Sequence, residues 1–77
     1  KNPKPDSYVC KLLDAGIDKT CKKIGEEAAE VVIAVKNKSK EEVIWEVADL
    51  WFHCLVAMYQ TGVTVDEVFK KLEERRK

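Results

Sequence analysis

The chain has 77 residues, which is enough for one domain over 1–77 and too few for two. Its 14 basic and 14 acidic side chains give a formal net charge of zero, which argues against a nucleic-acid-binding protein, since such proteins carry a net basic face. Apolar residues make up 45% and charged residues 36%, so the composition excludes a disordered chain, and no run without a charged or strongly polar residue approaches the ~20 residues of a membrane span.

The chain contains three cysteines, Cys10, Cys21 and Cys54, and no two of them form a C-x-x-C pair. An odd number without that spacing argues against both a disulfide framework and a zinc site. We therefore expect reduced thiols that behave as small hydrophobic side chains in a cytosolic protein. No signal-peptide pattern opens the sequence, which starts at Lys1 without a methionine.

The first predicted helix follows an extended lead-in over 1–5, where both prolines lie. Asp6 or Ser7 can cap this helix, because short polar side chains accept hydrogen bonds from the free N–H groups of a first turn. Gly16 suits the position just past its end, where many helices need a left-handed backbone. The pattern predicts a short helix between these signals.

A second helix is predicted from about Asp18 to Lys36, with Asn37 breaking it. Its apolar side chains recur at alternating intervals of four and three residues, which is typical of one helix face. We expect this seam to face the core; it comprises Ile17, Cys21, Ile24, Ala28, Val31 and Val35.

Two capping boxes predict the last two helices. Ser39 and Glu42 open a third helix that runs to about Thr61, with Gly62 past its end. The second box, Thr64 with Glu67, predicts the start of a fourth helix. Val63 and Val68 are placed to form a hydrophobic staple there, and the helix is predicted to end in the basic run Arg75, Arg76 and Lys77. No strand-type alternation appears, so the predicted fold is all-α.

The third helix carries the clearest functional signal. From 43 to 59 nearly every residue is apolar or aromatic, which is typical of a helix buried on all sides. The exceptions include Glu46, Asp49 and His53; at 100° per residue, Asp49 lies about 60° and His53 about 20° from Glu46. Charged carboxylates do not stay buried without a cation or strong hydrogen bonds, so this stripe indicates a bound ion.

The second helix can supply the complementary carboxylates. Glu27 and Glu30 lie at the edge of its apolar seam, and the small side chain of Ala34 continues their stripe and leaves room for a ligand. A turn as short as 37–39 makes the two helices pack antiparallel, which can bring these acids against Glu46 and Asp49. Four carboxylates suit a hard cation, Mg²⁺ or Mn²⁺, better than zinc.

Structural interpretations of the same residues stay open. Lys22 with Glu26 and Lys23 with Glu27 are i,i+4 pairs, so the second-helix acids can form a solvated, salt-bridged face. A single histidine is more often a hydrogen-bonded structural residue than a ligand. The aromatic side chains of the third helix favour a core or subunit interface over base stacking; they are Trp45, Trp51 and Phe52.

The acids read Glu26-Glu27-x-x-Glu30, then fifteen residues, then Glu46-x-x-Asp49, which resembles the E-E-x-x-E … E-x-x-D signature of the all-α MazG-type nucleotide pyrophosphohydrolases. The surrounding residues are similar, over essentially the whole chain, to the phosphoribosyl-ATP pyrophosphohydrolase family of histidine biosynthesis. The segments that carry this resemblance are Ser7-Tyr8, Lys11-Leu12-Leu13, Gly16, Asp18-Lys19, Lys22 to Glu27, Val31 to Ala34, and Ala48 to His53.

The resemblance implies hydrolysis of phosphoribosyl-ATP to phosphoribosyl-AMP and pyrophosphate, dependence on Mg²⁺, and a homodimer or higher homo-oligomer. It assigns Glu27, Glu30, Glu46 and Asp49 as metal ligands. Glu26 is implied to hold or activate water, or to bind a second metal. The same resemblance implies phosphate contacts, and therefore substrate binding, from Lys23 and, as weaker candidates, Lys19 and Lys11.

The chain departs from this family at one point, because such enzymes usually have another helix before the Ser-Tyr segment. A truncated chain, or a piece of a fusion with the enzyme of the next pathway step, is the expectation that follows. Two other functions stay open: a house-cleaning nucleoside triphosphate pyrophosphohydrolase, and a non-catalytic helical dimerisation module whose acids are salt-bridge partners.

Oligomerisation is also predicted from the third helix alone. A helix of about 22 residues is ~33 Å long, and the other helices are too short or too one-sided to cover an apolar surface around it. Trp45, Phe52, Val56 and Tyr59 lie away from its other apolar side and predict an exposed patch. A symmetric partner would cover this patch and complete a four-helix-bundle core of antiparallel helices.

Overall fold

In a computed structural model, the described backbone covers residues 4–76 and the described side chains cover 8–76. The chain forms four helices and no strand within these residues: α1 (Lys4–Ala15), α2 (Ile17–Lys36), α3 (Lys40–Thr61) and α4 (Val65–Arg75). The predicted all-α class is therefore confirmed, and α2 begins one residue earlier than predicted. Helices α2 and α3 pack along each other, and α1 packs against both.

The predicted start of α1 was wrong. The lead-in was expected to last through Pro5, with a cap at Asp6 or Ser7, but the helix begins at Lys4. Proline is tolerated in a first helical turn, where its missing N–H has no partner to lose, so Pro5 does not delay the helix. Residues 1–3 of the lead-in lie outside the described residues. At the other end, Gly16 has φ 92° and donates its N–H to the carbonyls of Leu12 and Leu13, as expected for a helix stop.

The turn between α2 and α3 reverses the chain in three residues. Helix α2 ends at Lys36 as predicted, with Asn37 as its C-cap in a right-handed backbone, and the left-handed residue of the turn is Lys38, with φ 58°. The N–H of Lys38 donates to Val35 O at 3.0 Å, and that of Ser39 donates to Ala34 O at 3.4 Å. These two bonds form a Schellman motif and satisfy carbonyls at the end of α2.

Side-chain caps start both later helices. Ser39 accepts a hydrogen bond from the N–H of Glu42 at 3.3 Å, which is one half of the predicted capping box. At α4 both halves are present, because Thr64 accepts from Glu67 N–H and the Glu67 carboxylate accepts from Thr64 N–H. The second box is thus confirmed in full. Arg75 and Arg76 follow as predicted, and Lys77 lies outside the described residues.

The face of α2 that packs inside the chain differs from the prediction. Its fully buried side chains are Thr20, Glu27 and Ala34, seven residues apart, whereas Ile17 and Val35 are 51% and 53% exposed. The apolar seam is therefore at most half-buried, and Cys21 within it is exposed. Small and polar side chains let α2 approach α3 closely, which leaves the apolar seam for another partner. The remaining buried residues are Leu12, His53 and Val56.

None of the helices in the part of the chain described by the structure combines the length and the apolar character that crossing a membrane requires.

Candidate metal centre

Three carboxylates from two helices meet between α2 and α3. Glu27, Glu46 and Asp49 each offer one oxygen, and these oxygens lie within 4.8 Å of one another. The i,i+3 spacing of Glu46 and Asp49 puts both on one side of α3. The tight 37–39 turn folds α2 back along that side and delivers Glu27. We call these three residues the carboxylate group.

Glu30 stands at the rim of the carboxylate group. It is solvent-exposed, and hydrogen bonding with its side chain is among the effects that raise the pKa of Glu46. Three of the four acids predicted to converge thus form the carboxylate group, and Glu30 lies beside it, next to Glu46.

The electrostatic environment of Glu46 is unfavourable to its charge. Partial desolvation, the hydrogen bond with Glu30 and the negative charges of Glu30, Glu27 and Asp49 raise the pKa of Glu46 from 4.5 to about 7. Desolvation is the largest of these effects. A bound cation would reverse each of these charge interactions, because it attracts the carboxylates that otherwise repel one another.

Unpaired oxygens point to the same kind of ligand. Glu27 is 8% exposed and its Oε1 is buried without a hydrogen-bond partner among the described residues, as is Oε1 of Glu46. Buried carboxylate oxygens of this kind are costly unless a cation or donor meets them. An all-oxygen donor set fits Mg²⁺ or Mn²⁺ rather than zinc.

Lys23 lies one helical turn before Glu27, and Glu26 immediately precedes Glu27. The Nζ of Lys23 is 3.5 Å from Glu26 Oε1 and 3.8 Å from Glu27 Oε2. Partial desolvation lowers the pKa of Lys23, but the hydrogen bond to Glu26 and the charges of Glu26, Tyr8 and Glu27 outweigh it and raise the pKa above 10.5. Lys23 therefore keeps its positive charge beside the carboxylate group, while Glu26 is exposed and not part of that group.

The other two lysines are more remote. Lys11 on α1 and Lys19 on α2 are both exposed. Neither makes an ion pair within the described part of the chain. Their predicted contact with phosphate therefore depends on movement of long, solvated side chains.

His53 is buried, at 5% exposure, and is hydrogen-bonded through both ring nitrogens. Nδ1 is 2.8 Å from the backbone oxygen of Asp49, which can only accept, so Nδ1 carries the proton. Nε2 then accepts from the Tyr8 hydroxyl at 2.8 Å. This arrangement supports the structural interpretation of His53. Sequence reasoning missed Tyr8 as its partner, because the two residues are 45 positions apart.

A cavity of about 400 Å³ adjoins the carboxylate group on the side of the turn. It lies beside Ala34, whose small side chain predicted room for a ligand. Its lining is acidic and amide-bearing as well as apolar: Glu30, Ile33, Ala34, Asn37, Glu42 and Glu46. We call it the hairpin cavity.

Known proteins are similar to this sequence along almost its full length. The family model described as phosphoribosyl-ATP pyrophosphohydrolase matches residues 1–76. A phosphoribosyl-ATP pyrophosphatase of Streptococcus sanguinis is 51% identical over 76 residues, covering 99% of this chain and 73% of the relative. One of Methanococcoides burtonii is 46% identical over 77 residues, covering 97% and 78%.

A histidine biosynthesis bifunctional protein, HisIE, of Caldanaerobacter subterraneus subsp. tengcongensis is 47% identical over 76 residues. The match covers 99% of this chain and 37% of that longer protein. The aligned region therefore corresponds to about a third of a bifunctional relative and about three quarters of the shorter ones. On the family match and on the identities over nearly all of its length, this chain belongs to the phosphoribosyl-ATP pyrophosphohydrolase family.

Proposed function

We propose that this chain hydrolyses phosphoribosyl-ATP to phosphoribosyl-AMP and pyrophosphate, a step of histidine biosynthesis. The carrying observation is the carboxylate group, which places three acids from two helices around a space for a cation. Family membership supports the choice of substrate, since relatives about half identical to this chain bear the name of that activity.

The proposed cation is Mg²⁺, with Mn²⁺ as an alternative, held by Glu27, Glu46 and Asp49 with Glu30 at the rim. When bound, such an ion neutralises phosphate charge and positions water for attack. The unpaired oxygens of Glu27 and Glu46 support these two as ligands. A proton bound to Glu46 would leave as the ion binds, because a carboxylate that binds a metal must be deprotonated.

The neighbouring residues have proposed roles in handling charge and water. Lys23 would take up negative charge on the leaving pyrophosphate, since a fixed cation stabilises charge that develops in the transition state. Its position beside Glu27 supports this role. Glu26 would hold or activate the attacking water, or bind a second metal ion, and its exposure leaves the carboxylate oxygen that is not paired with Lys23 open to either. Lys19 and Lys11 would contact phosphate from farther away.

The test is pyrophosphate release from phosphoribosyl-ATP and from a panel of ordinary nucleoside triphosphates, each with Mg²⁺ and with EDTA. We expect Mg²⁺-dependent release with a strong preference for phosphoribosyl-ATP. Preference for another triphosphate would favour a house-cleaning pyrophosphohydrolase. No release from any of them would favour the non-catalytic dimerisation module.

We also propose a homodimer or larger homo-oligomer with α3 at its centre. Large apolar side chains are widely exposed in the single chain, including Trp45 at 69% and Tyr59 at 75%. The exposed residues of the α2 seam, Ile17, Cys21 and Val35, add to this surface. The predicted patch was wrong at one residue, Val56, because that side chain is only 7% exposed and packs within the chain. Exposed apolar patches of this kind usually mark interfaces.

The cytosolic location predicted from the cysteines remains part of this proposal. Cys10, Cys21 and Cys54 are free thiols in the structure. Fractionation of cells that express the full-length protein would test the location directly, with recovery in the cytosolic fraction expected.

A further inference from the structure

The groove between α2 and α3 is covered at one end and accessible at the other. Beyond Asp49, helix α1 packs against both helices, with Leu12 buried and Tyr8 bonded to His53. In the opposite direction, the hairpin cavity continues from Glu30 and Glu46 to Asn37. A substrate whose phosphates lie at the carboxylate group therefore extends toward the turn between the helices.

That turn contains an unusual residue. Lys38 has a left-handed backbone, which glycine adopts without strain and a lysine does not. The two Schellman hydrogen bonds need this conformation but need no side chain at that position. A strained non-glycine residue is a reason to look for a function of its side chain.

We propose that Lys38 is a specificity-determining residue, whose ammonium binds the phosphate of the substrate's phosphoribosyl group while the hairpin cavity receives the nucleoside. This inference rests on the proposed function. As its name states, phosphoribosyl-ATP carries a phosphate on its added ribose besides the triphosphate, so it presents anionic groups at two places. The chain must therefore contact a second phosphate at a distance from the first.

The charges and spacing along α2 agree with this assignment. Lys23 lies at the other side of the carboxylate group and faces Glu26 and Glu27, which suits the triphosphate. Lys38 follows Asn37, which lines the cavity, and lies eight residues after Glu30, about 12 Å along the helix direction. A lysine ammonium is a compact charge that binds phosphate without a fixed geometry, and Lys38 is exposed and directly follows a residue of the cavity lining.

Lys36 offers a matched control within the same turn of chain. It is exposed, as Lys38 is, and its substitution changes the net charge equally. At 100° per residue it lies about 200° around α2 from Ala34, so it is on the side away from the hairpin cavity. A general effect of surface charge would therefore appear equally in Lys36→Gln and Lys38→Gln.

The experiment measures kcat/KM for phosphoribosyl-ATP and the inhibition constant of ATP, which lacks the second phosphate, in the full chain with Mg²⁺. We expect Lys38→Gln and Lys38→Gly to lower kcat/KM by about tenfold or more, mainly through KM, with the inhibition constant of ATP unchanged. Lys36→Gln should resemble the parent chain. Because Lys38→Gly also relieves the backbone strain, unfolding would not explain its loss of activity.

An unchanged KM in both Lys38 variants would overturn the inference and leave the proposed function intact. Equal losses in Lys36→Gln and Lys38→Gln, or an equal weakening of ATP inhibition, would also overturn it, because the effect would not depend on the second phosphate. Failure of the parent chain to release pyrophosphate from phosphoribosyl-ATP would instead refute the proposed function.

Discussion

At the scale of single residues, the acids of the carboxylate group are held in an environment that disfavours their own charge. A protein without a suitable cation gains nothing from placing Glu46 between Glu27, Glu30 and Asp49, since like charges at short range repel one another. Such arrangements are found at functional sites, where the bound ligand supplies the missing positive charge.

Glu46→Gln should abolish most activity while preserving the fold. The amide keeps the shape of the side chain but removes a charged ligand, and since even the loss of an outer-shell partner of a metal site costs about 10–100-fold, we expect a loss of at least ~100-fold. Without Mg²⁺ the variant should be as stable as the parent or more so, because carboxylate repulsion is relieved. Pyrophosphate release and thermal unfolding in EDTA measure both effects.

Glu41→Gln is the matched control, because Glu41 is an exposed acid one turn away on the same helix. It should change neither activity nor stability appreciably. Near-normal turnover by the Glu46 variant would assign Glu46 a structural role instead.

The raised pKa of Glu46 gives the metal-free protein a defined pH dependence. Between the ordinary value of 4.5 and the folded value of about 7, the folded chain binds more protons than the unfolded chain. The contribution of Glu46 to the free energy of unfolding therefore falls as pH rises through this window and is constant above it. The difference in stability between the parent and Glu46→Gln should follow this course in urea unfolding with EDTA.

Saturating Mg²⁺ should remove that decline, because the cation replaces the proton and binds more tightly as the carboxylates ionise. A difference between parent and variant that is flat with pH, or that favours the parent at higher pH, would contradict the assignment. Urea midpoints at several pH values between 4.5 and 8, with and without Mg²⁺, provide the comparison.

At the scale of elements, α1 is tied to α3 by one buried polar contact among apolar ones. The Tyr8 ring lies 5.9 Å from that of Phe52 and 6.0 Å from that of His53, and its hydroxyl reaches His53 Nε2. His53 in turn is fixed by its own helix through Asp49 O. The first helix is thereby placed over the end of the groove next to Lys23.

Tyr8→Phe should destabilise the protein by about 1–3 kcal/mol, because it leaves the buried Nε2 of His53 without a donor. The ring contacts with Phe52 and His53 would remain. Tyr59→Phe is the control, since it removes the same hydroxyl from the other tyrosine and keeps the apolar ring that the proposed interface needs. Equal urea midpoints for the two variants would show that the Tyr8 hydroxyl does not hold α1 in place.

Much of the helical organisation could be predicted from the sequence because its signals are local. Gly62 has φ 75° after α3, and the Thr64–Glu67 box starts α4, each as its residue type indicates. The start of α1 could not be predicted from Pro5, since proline fits both a lead-in and a first helical turn. The sequence also did not indicate a left-handed backbone at Lys38, because the Schellman bonds, and not side-chain preference, set its position.

At the scale of the whole molecule, the single chain exposes many large apolar side chains. Among the described side chains the buried apolar residues are few, namely Leu12, Ala34 and Val56, whereas α4 has none and exposes Phe69 and Leu72 at 53% and 54%. Short chains commonly compensate for a small core by oligomerisation.

We therefore expect a dimer or larger assembly at micromolar concentration, with the exposed side of α3 at its centre. Tyr59→Glu should shift the equilibrium toward monomer, because it would bury a charge in an apolar interface. Lys70→Glu reverses the charge at an exposed position of α4 and is the control for a general effect of surface charge on assembly. Sedimentation velocity with parallel activity assays decides the matter, and a stable, fully active monomer of the parent chain would refute the prediction.

The sequence by itself determined which residues are helical, where most helices end and which acids share a helix face, because 3.6-residue periodicity and caps depend on neighbours along the chain. Only the tertiary structure decided that α2 buries Thr20, Glu27 and Ala34, while its apolar seam ranges from half-buried to exposed. It also decided that His53 accepts from Tyr8. Both outcomes depend on how closely two helices approach and on residues far apart in the chain, so the sequence of a single helix cannot indicate either of them.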